Sequence, residues 1–80
     1  MNKTKITQEV EDIFRKVFDD DKLVINMTMT ANDVDNWDSL THMLLIVEVE
    51  NTFNIKFKLR DLNKMKNVGD MIDLLVLKTE

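Results

Sequence analysis

Apolar residues recur with helical spacing at the start of the chain. Ile6, Val10, Ile13, Phe14, Val17 and Phe18 fall on one face, the i, i+4, i+7, i+8 pattern of an amphipathic helix. The pattern predicts a helix over 4–18 with Thr4 as its N-cap. Asp19, Asp20 and Asp21 follow, and carboxylates crowded at a helix C-terminus oppose its dipole. Residues 19–38 show no helical period and predict a long connection. Leu23, Val24 and Ile25 are its expected anchors to the core, and Asn26, Thr28, Thr30, Asn32 and Asn36 supply turn chemistry. So long a loop in a small domain usually serves a function. A second helix is predicted over 39–53 with Asp38 as N-cap, and a short turn over Leu59–Lys64. The last helix runs from Asn67, its cap, to about Lys78, with Val68, Ile72, Leu75 and Val76 on one face. Asp70 stands where a carboxylate completes a capping box with the cap backbone. The fold class predicted is all-α: a four-helix bundle of three long helices and one short one, a single domain over residues 1–80.

The second helix differs from the others. At about 100° per residue from Ser39, His42, Leu45, Ile46, Val49 and Phe53 fall within roughly a 100° arc, a good core stripe. Leu40, Met43, Leu44 and Val47 form a second apolar arc, roughly 120° wide, that also holds Glu50 and Asn51. Thr41, Glu48 and Thr52 fill the polar remainder. A small bundle needs one buried stripe per helix. Either the long loop covers the second stripe, through Ile25 or Val34, or the stripe is a docking patch rimmed by Glu48 and Glu50. Helix-in-groove recognition uses i, i+3, i+4, i+7 anchors of this kind, and Met43 suits varied partners. Ser39 stands beside both the patch and the loop, at a helix start whose free N–H groups favour a phosphoryl group.

Composition narrows the chemistry. Among 80 residues there is no Pro, one Gly and no Cys. Tight β-turns are therefore disfavoured, and neither disulfides nor thiolate zinc sites are available. Any thiol chemistry needs a thiol from outside the chain. Apolar residues make up 44% and charged residues 32%, the balance of a globular domain. No apolar run reaches membrane-span length, and residues 1–5 do not begin a signal peptide, which fits a cytoplasmic address. The net charge of −4 argues against nucleic-acid binding. The charge is uneven. From 23 to 55 there is no Lys or Arg, while Asp33, Asp35, Asp38, Glu48 and Glu50 lie there. Lys56, Lys58, Arg60, Lys64 and Lys66 then face only Asp61. The middle of the chain would steer basic partners; a solvated acidic face without a partner is the plain alternative.

Enzyme chemistry finds no support, and no catalytic residue is assigned. The one histidine, His42, falls towards the core and near Ser39 on the same helix, without a strained nucleophile turn. There is no Gly-rich phosphate loop. An EF-hand loop from Asp33 needs an oxygen ligand at Trp37, Gly at Asp38 and Glu at Leu44, and fails at all three. No metal site is assigned. Trp37 is read as packing that fixes the loop where it enters the helix.

The segment Asp35-Asn36-Trp37-Asp38-Ser39-Leu40-Thr41-His42-Met43-Leu44-Leu45-Ile46-Val47-Glu48-Val49-Glu50-Asn51-Thr52-Phe53-Asn54-Ile55 resembles the attachment-site helix of acyl carrier proteins, and Asn67-Val68-Gly69-Asp70 the start of that family's last helix. The resemblance implies that Ser39 bears 4′-phosphopantetheine, taken from coenzyme A by a magnesium-dependent phosphopantetheinyl transferase. Asp38 adjoins the arm and is the best candidate for a passing divalent-cation contact during transfer. The arm's thiol answers the missing cysteine and carries acyl groups as thioesters. Leu40, Met43 and Val47 match docking positions, Glu50 an acidic one, and Leu44 lies in the same patch. The implied partners are the transferase, an acyl-loading ligase or acyltransferase, and synthase-type enzymes of fatty acid or related acyl, polyketide or lipid biosynthesis, met by a monomer. Many fatty-acid carriers are acidic at the positions of Leu44 and Asn51, and acidic where Lys56-Phe57-Lys58-Leu59-Arg60 stands. The chain therefore looks like a specialised bacterial-type carrier. An aminoacyl or peptidyl carrier and an unmodified helical interaction module are the alternatives.

Overall fold

Helix α1 spans Lys3–Val17 and buries Ile6, Val10, Ile13 and Phe14, the stripe its periodicity marks. Its cap is Asn2, not Thr4. The Asn2 side-chain oxygen accepts from the Lys5 N–H at 2.8 Å, and Asn caps at least as well as Thr. The helix ends a residue earlier than the periodicity predicts. Phe18 N–H still bonds the Phe14 carbonyl at 3.0 Å, and Asp20 N–H bonds that of Arg15 at 3.0 Å. Between them Asp19 is left-handed, with φ 52°, so it closes the helix by backbone geometry as well as by charge.

The computed structural model describes residues 2–79. Helices α2 (Ser39–Phe53), α3 (Leu59–Lys64) and α4 (Val68–Thr79) follow, with one 3-10 turn at Ala31–Asp33 inside the long connection. No strand occurs among the described residues, so the all-α, four-helix expectation holds. Helix α1 packs on both α2 and α4. Their shared core contains Val10, Phe14, Leu45, Val49, Val68, Ile72 and Leu75, all without exposed surface.

The long connection is tied down by polar groups that periodicity does not reveal. Glu11 accepts the Ile25 N–H at 3.1 Å, Arg15 donates to the Leu23 carbonyl at 2.8 Å, and the two side chains pair with each other at 3.2 Å. The segment they grip alternates as an extended strand would. Ile25 is buried and Leu23 half-buried, while Val24 is 67% exposed and does not serve as the predicted anchor. Met29 and Val34 enter the core further on.

The middle of the connection meets the start of α4. Val68 N–H donates to the Met29 carbonyl and Gly69 N–H to that of Met27, both at 2.9 Å. First-turn N–H groups lack partners in their own helix, and here the loop supplies them. A β-carbon on Gly69 would lie 2.8 Å from the Met27 carbonyl oxygen. The only glycine thus permits a close backbone approach, while the left-handed positions Asp19, Asn36 and Asn54 use Asx residues, which tolerate that region. The predicted cap at Asn67 is present, accepting the Asp70 N–H at 2.8 Å. Asp70 returns its bond to the Lys66 N–H at 3.0 Å, one residue before the expected donor.

Candidate functional site

The start of α2 is a closed capping box. Asp38 accepts the Thr41 N–H at 3.0 Å, and the Thr41 hydroxyl accepts the Asp38 N–H at 2.8 Å. The same hydroxyl donates to the Asn36 carbonyl at 2.6 Å. The Thr41 N–H holds the Asp38 carboxyl below the usual carboxylate range. Thr41 is therefore structural, a role that the Asp-x-x-Thr spacing signalled and that its place on the polar side of the wheel obscured. With the cap satisfied by its neighbours, Ser39 is left exposed at the first position of the helix.

One side of Ser39 opens on a cavity of about 340 Å³, lined among others by Trp37, Asp38, Ser39, His42, Met65, Lys66 and Met71. Trp37 is wedged above the core, edge-on to Phe14 at 5.3 Å and tilted against Phe18 at 5.8 Å. Its indole N–H donates to His42 Nδ1 at 3.1 Å. Burial lowers the His42 pKa, so the ring is held neutral. Of this cavity, sequence reasoning found Trp37, Asp38, Ser39 and His42 at the helix start. It did not connect Lys66 to Ser39, because no local pattern joins the α3–α4 connection to the start of α2.

On the other side lies the second apolar stripe. Leu40 is 71% exposed, Met43 56%, Leu44 52% and Val47 46%. The loop does not cover it: Ile25 and Val34 are buried in the core instead. The expected acidic rim is modified. Glu48 turns to α1 and pairs with Lys16 at 3.2 Å. Glu50 accepts the Phe57 N–H at 2.8 Å, fixing the chain just beyond α2. The basic segment is open: Lys56, Lys58, Arg60, Lys64 and Lys66 are exposed. Asp61, the one carboxylate among them, is buried, bonded to the Lys58 N–H at 2.9 Å and paired with Lys78 at 3.0 Å. No cluster of three or more metal-ligating side chains occurs among the described residues.

The site presents a free hydroxyl at a helix N-terminus, between an apolar-walled cavity and an exposed apolar patch. A phosphoryl ester on Ser39 would meet the positive end of α2, with room for a flexible chain in the cavity. The residues present thus fit a phosphopantetheine group. Residues 5–75 match the family model described as phosphopantetheine attachment site. The fold is similar to the solution NMR structure of a holo acyl carrier protein from Geobacter metallireducens, with 51% identity, coverage of 91% of this chain and 84% of that one, and a TM-score of 0.86. No curated protein sequence matches.

Proposed function

The chain belongs to the acyl carrier protein family, and from that premise we propose that it carries acyl groups as thioesters on a 4′-phosphopantetheine arm esterified to Ser39. The observation that carries this reading is the exposed serine at the first position of α2, relieved of capping by Asp38 and Thr41. In loading, the Ser39 hydroxyl oxygen forms the new phosphoester bond. The pyrophosphate bond of coenzyme A breaks, its nucleotide part leaves, and the serine proton passes to a base of the transferase. The arm supplies the thiol that holds the cargo. The chain's own residues position it: the capping box fixes the turn, and Trp37 and His42 wall the space beside it.

As an acyl carrier protein the chain serves as a carrier rather than an enzyme. Leu40, Met43, Leu44 and Val47 form the docking face. Glu50 contributes through the carboxylate oxygen that Phe57 leaves free, and Asp38 adjoins the arm. Its partners are a phosphopantetheinyl transferase, an acyl-loading ligase or acyltransferase, and synthase-type enzymes of fatty acid or related acyl biosynthesis. No helix among the described residues is long and apolar enough to cross a membrane, and the setting proposed is the cytoplasm. Co-expression with a broad-range phosphopantetheinyl transferase, followed by intact mass measurement, tests the reading. One phosphopantetheinyl group per chain is expected, and no gain under conditions that load a control carrier would reject it. Activation assays with carboxylic and amino acids separate acyl from aminoacyl cargo.

A further inference from the structure

We propose that Lys66 is a positioning residue for the arm: its ammonium pairs with the phosphodiester on Ser39 and turns the chain into the cavity between α2 and the α3–α4 connection. The proposal rests on the carrier reading above. Lys66 lines the same cavity as Asp38 and Ser39. Of the cations between 56 and 66 it alone does so. Its backbone is fixed, because its N–H bonds the Asp70 carboxylate at 3.0 Å. That bond occupies Asp70 with the backbone, and the ion pairs among the described residues engage Lys3, Arg15, Lys16 and Lys78, not Lys66.

The need for a cation there is electrostatic. A phosphodiester on Ser39 lies one residue from the Asp38 carboxylate, which the Thr41 N–H keeps ionised. Two adjacent anions repel, and a cation across the cavity offsets that repulsion. A lysine acts on phosphate as a mobile point charge and needs no rigid fork. With the phosphodiester drawn towards Lys66, the rest of the arm faces Trp37, Met65 and Met71 rather than open solvent.

The test uses full-length protein in apo and holo forms, with the arm verified by intact mass. The probe is the phosphorus resonance of the holo protein, with backbone amide shifts at Met65 and Lys66 on conversion from apo to holo. Both amides shift in the wild type. Lys66→Ala moves the phosphorus resonance towards that of free phosphopantetheine and abolishes the amide shift at Met65, whereas Lys66→Arg keeps the wild-type values. High salt erases the difference between wild type and Lys66→Ala. A fully loaded protein whose phosphorus resonance is the same in wild type and Lys66→Ala overturns the role of Lys66 and leaves the carrier reading intact. A chain that gains no mass overturns the carrier reading itself. Equal apo unfolding midpoints for wild type and Lys66→Ala exclude a folding artefact.

Discussion

The indole N–H of Trp37 donates to His42 Nδ1 at 3.1 Å, and the two rings stack with centroids 6.1 Å apart and planes 20° from parallel. The bond places the lone pair on Nδ1 and the ring proton on Nε2. It joins the last loop residue before the cap to the first turn of α2, and through Trp37 it reaches Phe14 of α1. The wall of the cavity is thereby continuous with the core.

The burial of His42 makes stability depend on pH. Burial lowers the His42 pKa from its ordinary 6.5, so the unfolded chain takes up a proton that the folded one resists. As pH falls below about 6.5, the unfolded state binds more protons and stability declines. The unfolding midpoint is expected to fall between neutral and mildly acidic pH, as read by emission from Trp37, the only tryptophan. His42→Gln should lose about 1 kcal/mol at neutral pH and flatten that slope. A steeper slope in the variant would contradict this account. Asp38 and Asp61, both lowered, act further down: their stabilisation is present above their unfolded pKa values and is lost as pH falls through the folded ones.

Gly69→Ala should destabilise the protein although the position is helical. In an exposed helix interior the change gains up to about 1 kcal/mol. Here the new carbon meets the Met27 carbonyl oxygen at 2.8 Å and strains the Gly69–Met27 bond. A net loss of about 1–3 kcal/mol is expected from such overpacking, measured by urea denaturation. An unchanged midpoint would mean that the loop yields without cost.

Ser39→Ala should leave stability within about 0.5 kcal/mol, as exposed substitutions usually do, while abolishing gain of the arm by mass. Val47→Asp, at a position 46% exposed, should also fold and still accept the arm from a broad-range transferase, but slow acyl transfer with its own partners by about tenfold, the effect of roughly 1.4 kcal/mol. A constitutive interaction module would show the opposite pattern for Ser39, with Ser39→Ala silent in every assay of function.

Phe14→Ala should cost about 3–5 kcal/mol. Phe14 has no exposed surface and touches both Phe18 and Trp37. An 80-residue chain has on the order of 4–12 kcal/mol to lose, so calorimetry should find the midpoint lowered by many degrees or the transition broadened.

Helices α1 and α4 were legible because each carries one apolar period, and Ser39 because Asp38 and the surrounding residues mark a helix start. The two-stripe character of α2 was legible as well, but not its resolution. Periodicity places Leu40 and Val47 on one face; it does not say whether Val34 lies over them or under the core. The grip of Glu11 and Arg15 on the loop was invisible, since polar residues on a helix face read as solvated. So was the cavity that Lys66 and Ser39 share, a product of packing between segments that share no local pattern. The cap at Asn2 was not legible, because Thr4 is also a residue type that caps well and the apolar period alone does not set the first turn.

Considered as a vessel, the cavity beside Ser39 has one stiff side and one yielding side. Trp37, His42 and the loop pinned by Val68 and Gly69 are braced by the core. The opposite side is lined by Met65, Lys66, Asn67 and Met71, and its first residue, Met65, closes α3, a helix of six residues too short to be stable alone and packed through Leu62 and Met65. That wall therefore owes its place to tertiary packing and to the Asp61–Lys78 pair at 3.0 Å, not to the helix's own hydrogen bonds.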